Sequence, residues 1–240
     1  MNLLIYKTQD ELFKDLISYI TTIAAKAIRE NGRFNFVLTG GNSPKALYEL
    51  LATRYKDQID WTKVYFFFGD ERNVMPDHES YNGLMAKKAL LDPLHIPAEQ
   101  IFYVDTTRAP EKAAIEYTKA IQKHFEGADP IFDLILLGMG DDAHTASLFP
   151  GTAILKSREA EVDSVYVDKL STYRISFTAP LINKASNIAF LVFGTGKAAA
   201  AKQVLEGAKN TSLYPAQLID PIDGNVTWFL DDVAAALLSN

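Results

Sequence analysis

FNFVLTGGNSPKALYELLATR (residues 34–54) joins an apolar run to a glycine pair and then to a proline-led stretch. Phe34–Leu38 is rich in aromatic and branched residues and reads as a strand. Ser43 and Pro44 are an N-cap residue and a good first-turn residue, so the spacing predicts a helix through about Arg54. Strand, glycine turn and helix in that order open a βα unit. In such a turn the backbone N–H groups of Gly40, Gly41, Asn42 and Ser43 and the positive helix end converge on one small volume, which suits a phosphate. A tight turn in which glycine supplies a positive φ and Ser43 only caps accounts for the same residues. Neither G-x-G-x-x-G nor G-x-x-x-x-G-K-[ST] is present, so dinucleotide and P-loop readings lose their main support.

The alternation continues on both sides. Thr8-Gln9-Asp10-Glu11 matches a capping box, and helical spacing then runs to Asn31-Gly32, a C-terminal stop. Further strands are expected at 64–68, 101–104, 132–138, 164–167, 174–178, 188–193 and 226–230. Helices are expected at 80–91, 110–127 and 196–207, with a short one at the end. Several strands are continuously apolar, as burial of both sheet faces requires. The expected fold is α/β, a three-layer α/β/α arrangement around a mostly parallel, doubly wound sheet. No Pro- or Gly-rich linker, repeat or low-complexity tract divides residues 1–240, so one domain is expected.

Composition sets the bounds. The 48% hydrophobic content of the 240 residues suffices for a full core. No run of about 18 apolar residues suggests a membrane span, and Met1–Lys7 is too short for a signal peptide, which points to a cytosolic chain. Without cysteine there is no disulfide frame, thiolate metal site or thiol nucleophile. A net charge of −6, from 24 basic and 30 acidic residues, disfavours a nucleic-acid binder. A small anionic substrate is compatible with it, provided a few cations converge locally.

In open α/β sheets ligands bind beyond the carboxyl ends of the strands, so polar clusters directly after a strand carry functional weight. FFFGDERNV places Gly69, Asp70, Glu71 and Arg72 there; Arg72 suits an oxyanion or phosphate, and Asp70 suits orienting a histidine or taking up a proton. A surface ion-pair cluster is the plain alternative. DLILLGMGDDAHTASLFPG (133–151) crowds Asp141, Asp142, His144, Thr145 and Ser147 behind an apolar strand, and a histidine beside carboxylates is a general-base candidate. His78, His95 and His124 read as surface residues. No G-x-S-x-G elbow supports a serine nucleophile at Ser147, and no H-E-x-x-H pair supports a metal hydrolase, which favours direct attack by water, with a purely structural loop histidine as the plain alternative. Later in the chain Arg174 opens a strand, and Lys197 stands in a first helical turn, where an anion would have to offset its clash with the dipole.

Together LTGGNSPKALYELL, FFFGDERNV, DLILLGMGDDAHTASLFPG, RISFTAPLIN, LVFGTGKAAA and VTWFLD, spread over residues 36–231, resemble in order the blocks of the 6-phosphogluconolactonase family of the pentose phosphate pathway. The blocks around Asp70-Glu71-Arg72 and His144 are the specific ones. The resemblance implies the fold of glucosamine-6-phosphate deaminase and ribose-5-phosphate isomerase. It implies hydrolysis of 6-phospho-D-glucono-1,5-lactone to 6-phosphogluconate without cofactor or metal, in a monomer or small homo-oligomer whose partner is a phosphorylated sugar lactone. It makes His144 the general base, Asp70 and Arg72 site residues, and Gly40, Gly41, Arg174 and Lys197 sugar-phosphate contacts. Two positions depart from the family pattern: Ala143 stands where glycine is usual, and Asn42-Ser43 where Ser-Thr is usual. The deaminase branch is disfavoured by Arg72 in place of tyrosine and by Ser147-Leu148-Phe149-Pro150 in place of Phe-Asn-Glu-Pro. A non-catalytic sugar-phosphate sensor is disfavoured by the lack of a helix-turn-helix segment.

Overall fold

A computed structural model describes residues 1–239. In chain order the elements are β1 (Asn2–Tyr6), α1 (Gln9–Asn31), β2 (Phe34–Leu38), α2 (Asn42–Thr53), β3 (Val64–Phe68) and β4 (Asp70–Arg72). Then come α3 (Asn82–Ala86, prolonged by a π-helical turn over Lys87–Leu91), α4 (Pro110–His124), β5 (Leu134–Leu137), β6 (Val162–Val167) and β7 (Thr172–Phe177). The last are α5 (Ala179–Ile182), β8 (Asn187–Val192), α6 (Ala198–Glu206) and β9 (Asn225–Asp231).

Six strands form one parallel sheet in the order β1-β9-β8-β5-β2-β3. Its two faces are legs of the same alternation. Phe34, Phe36 and Leu38 of β2 and Leu134 and Leu136 of β5 pack with α1, α2 and α3. Val37, Ile135 and Leu137 point the other way and pack with α4, α5 and α6. Period-two alternation with apolar residues on both sides therefore produces the expected three layers. The Thr8–Glu11 capping box and the left-handed Gly32 bound α1 as expected.

The structure corrects several boundaries. Asp70-Glu71-Arg72 is not a loop after β3 but a strand of a second, antiparallel sheet, β4-β7-β6. Gly69 is the crossing point: its N–H donates to Leu38 C=O at 3.0 Å in the large sheet, and its C=O accepts from Phe177 N–H at 2.8 Å in the small one. Residues 101–104 make only one bridge, Ile101 to Phe66, before the chain turns away at Asp105. The final segment forms turns rather than a helix, because the Asp231 carboxylate takes Ala234 N–H and Ser239 is tied to Glu206. The edge strand β1 was not expected; its Leu3, Leu4 and Ile5 are exposed, so no burial pattern marks it.

His124 is not a surface residue. It is half-buried among Tyr65, Phe67, Phe102 and Phe125, and Nε2–H donates to Asn35 Oδ1 at 2.7 Å. Burial, with the Arg33 charge adding to it, pushes its pKa down from 6.5 to about 4. The unfolded chain thus binds a proton there that the folded chain refuses between those values, so stability falls as pH drops through this window. Urea midpoints measured from pH 7 to pH 4 are expected to fall less steeply for His124→Gln than for the wild type; parallel curves would refute the assignment.

Candidate active site

The large sheet reverses its direction of growth between β2 and β5, since β3 lies on one side of β2 and β5, β8, β9 and β1 on the other. The crevice at this switch point, beyond the strand carboxyl ends, is a cavity of about 410 Å³. Gly40, Gly41, Asn42, Ser43, Asp70, Arg72, His144, Arg174 and Lys197, all singled out in the sequence, line it together. So do Ser147, Phe149 and Lys169.

The glycine turn differs from expectation at its cap. Gly41, at φ +114°, is the residue before the helix, and Ser43 lies inside α2. No side chain caps the first turn, so its N–H groups remain available at the cavity wall.

Arg72 and Arg174 are direct partners in the β4–β7 ladder. Like charges placed opposite one another are destabilising unless something neutralises them. Arg72 Nη1 donates to Ser80 C=O at 2.7 Å, yet the Nε atoms of both arginines are buried without a partner in the chain. Burial lowers the Arg174 pKa, Asp70 opposes that shift and Arg72 adds to it. Among the described residues no carboxylate comes within ion-pair distance of Arg72, Arg174 or Lys197. Lys197 stands at the N-terminus of α6, preceded by a tight turn from Thr195, rather than within its first turn. Three cations without ion-pair partners and one uncapped helix end around a single cavity are what holding an anion requires.

His144 sits on the loop after β5. Its Nδ1–H donates to Asp142 Oδ1 at 2.5 Å, its ring stacks on Phe149 at 4.0 Å, and Nε2 has no partner among the described residues. Asp142, rather than Asp70, therefore orients the imidazole. The hydrogen bond from His144, then that from Lys169 Nζ at 3.0 Å, holds the Asp142 carboxyl well below the usual carboxylate range. Asp70 is buried and accepts from Ser147 Oγ at 2.7 Å, which ties β4 to the histidine loop. Ser147 is thus a partner of Asp70, and no histidine among the described residues hydrogen-bonds its hydroxyl as a serine triad would require. Lys169 was missed: it lies in the β6–β7 hairpin turn, where a lysine reads as an ordinary solvated residue. Among the described residues no group of three His, Cys, Asp or Glu is placed to hold a metal ion.

Ala143 has φ +60° and is fully buried, and Ala146 has φ +45°. Left-handed backbone costs a non-glycine residue about 1 kcal/mol or more, so alanine at 143 is strained where glycine would not be.

Fold and site together define an α/β protein with a cation-lined cavity at a sheet switch point, beside an imidazole fixed by a carboxylate. A family model described as glucosamine-6-phosphate isomerases/6-phosphogluconolactonase matches residues 7–228. A 6-phosphogluconolactonase of Nostoc sp. is 42% identical over 235 residues, covering 96% of this chain and 95% of that protein. One from Synechocystis sp. is 41% identical over 219 residues, covering 90% and 89%. The structure of 6-phosphogluconolactonase from Trypanosoma cruzi superposes with a TM-score of 0.86 at 28% identity, covering 100% of this chain and 97% of that one. The chain belongs to the glucosamine-6-phosphate isomerase/6-phosphogluconolactonase family.

Gly140 fits beneath the His144–Asp142 pair so closely that a Cβ there would overlap the imidazole and stand 2.6 Å from Asp142 Oδ1. Gly140→Ala is expected to abolish the downfield proton resonance of the His144–Asp142 hydrogen bond while the protein still unfolds cooperatively. Persistence of that resonance would contradict the placement of Gly140.

Proposed function

We propose that this chain hydrolyses 6-phospho-D-glucono-1,5-lactone to 6-phospho-D-gluconate, with water attacking the lactone carbonyl and His144 acting as general base. The observation that carries the reading is the convergence, in one cavity, of an imidazole held through Nδ1 by Asp142 with three cations that lack ion-pair partners. The high identity to named lactonases over nearly the whole chain supports the same substrate.

Arg174, Lys197 and the free N–H groups of the α2 first turn hold the phosphate, so binding energy remote from the reacting carbon fixes its position. His144 Nε2 takes a proton from water as the oxygen bonds to C1, and the Nδ1–H bond to Asp142 stabilises the imidazolium that forms. The carbonyl electron pair moves onto oxygen, where Arg72 stabilises the oxyanion. Collapse of the tetrahedral species breaks the C1–ring oxygen bond, and the imidazolium returns its proton to the departing oxygen. Asp70 holds the histidine loop through Ser147. In this reading the protein is a single-domain cytosolic enzyme, a monomer or small homo-oligomer, and its partner is a small phosphorylated lactone rather than nucleic acid or membrane.

The test is a coupled assay with freshly generated lactone, corrected for spontaneous hydrolysis. His144→Asn should lower kcat by about 100-fold or more; near-native turnover would remove His144 from the mechanism. Arg174→Met should raise KM for the phosphorylated lactone at least about 10-fold and leave turnover of free gluconolactone almost unchanged. Equal losses on both substrates would take Arg174 out of phosphate binding.

A further inference from the structure

The two glycines of the β2–α2 turn are glycine for different reasons. Gly41 has a left-handed φ of +114°. Gly40 has no such φ, but a Cβ built on it would overlap Oδ1 of Asn82 and stand 2.5 Å from Cγ and 2.8 Å from Nδ2. The space beside Gly40 is filled by a carboxamide, and backbone conformation does not set the requirement there.

Asn82 is 2% exposed, and every polar contact it makes is to β4. Nδ2 donates to Asp70 C=O at 3.0 Å, and its N–H donates to Glu71 Oε1 at 2.7 Å. Glu71 is fully buried and also accepts from Gly83 N–H at 2.9 Å and Arg72 N–H at 2.7 Å. One side chain thus touches the turn of the parallel sheet with its oxygen end and holds the first strand of the antiparallel sheet with its nitrogen end. That matters because the proposed phosphate contacts are divided between the two sheets. Gly40 and Gly41 follow β2, Arg72 and Arg174 lie on β4 and β7, and β3 of the one sheet runs into β4 of the other across a single glycine, Gly69.

We propose that Asn82 is a positioning residue, size-matched to Gly40, which sets the separation between the glycine turn and the Asp70–Arg72 strand. The inference rests on the reading of the turn as a substrate-binding element. Asn82 itself does not line the cavity and is not a catalytic residue. Aspartate at this position keeps the size but loses the donor to Asp70 C=O; alanine loses both size and donor.

Four variants separate the possibilities: Gly40→Ala, Asn82→Ala, the two combined, and Gly40→Ala with Asn82→Asp. Thermal midpoints, and KM and kcat for the phosphorylated lactone, are measured for each. Gly40→Ala should lower the midpoint and raise KM by about 10-fold or more. Asn82→Ala should raise KM several-fold. The Gly40→Ala/Asn82→Ala protein should recover toward the wild type relative to Gly40→Ala in both readouts, because removing the carboxamide makes room for the methyl. Asn82→Asp should not rescue. If Gly40→Ala alone does not fold, folding of the Gly40→Ala/Asn82→Ala protein is the expected rescue, and its failure to fold overturns the pairing. Losses that simply multiply in KM and add in the midpoint also overturn it. Rescue of the midpoint with KM unchanged in every variant overturns the positioning role differently, by removing the turn from substrate binding while the Gly40–Asn82 fit stands.

Discussion

Arg72 and Arg174 face each other across the β4–β7 ladder with no ion-pair partner for either, and most of the site follows from how that repulsion is accommodated. A ladder pair of like charge is normally removed by selection for stability or relieved by solvent. Here both Nε atoms are buried, and the polar groups around them are committed elsewhere: Asp70 to Ser147, Glu71 to three backbone N–H groups. An anion in the cavity in front of the pair would offset this repulsion. Two further positive elements, Lys197 and the uncapped start of α2, point into the same volume. A protein with a net charge of −6 thus gathers these positive groups around one cavity, an arrangement that favours an anion there.

Two sheets supply these groups, and joining them is the structural problem of the fold. The parallel sheet carries the glycine turn, the histidine loop and the Lys197 turn at its carboxyl edge; the antiparallel sheet carries both arginines and, on its hairpin, Lys169. Gly69 shares its backbone hydrogen bonds between the two, Ser147 reaches Asp70, and Asn82 links β4 to the glycine turn. Each link is buried or nearly so, and each uses a polar group with its partner in place, so the seam is specific as well as tight.

The parallel sheet and its two helical layers could be read from the chain because each strand buries both faces and each helix has ordinary stop and start signals. Phe34–Leu38 shows the rule, with Phe34, Phe36 and Leu38 on one face and Val37 on the other. The site residues were readable for a related reason: they follow strands, where the geometry of a parallel sheet brings separate loops together. What escaped was set by tertiary context. Exposed β1 has no burial pattern, Asp70–Arg72 pairs only because β7 runs alongside it, and Ser43 gives up the cap because glycine at 41 bends the chain two residues earlier. His124 looked like a surface residue because a helix-end histidine gives no sign of the four aromatic rings that surround it.

The histidine loop shows how strain and order coexist at such a site. Ala143 and Ala146 both hold left-handed backbone, one on each side of His144, at a cost that glycine would avoid. The loop keeps this shape because its ends are pinned: Gly140 N–H donates to His144 C=O at 2.8 Å, Ala216 N–H donates to Ala143 C=O at 2.9 Å, and Thr145 Oγ1 donates to Gly138 C=O at 2.8 Å. The methyl of Ala143 is also buried in the core, so the residue that strains the backbone helps to anchor it. Lys169 then closes on Asp142 from the other sheet. The imidazole is held by Asp142 at Nδ1, by Phe149 along its face and by Gly140 from below. Only Nε2 is left without a partner among the described residues, and a strained but tethered loop is what holds the ring in that orientation.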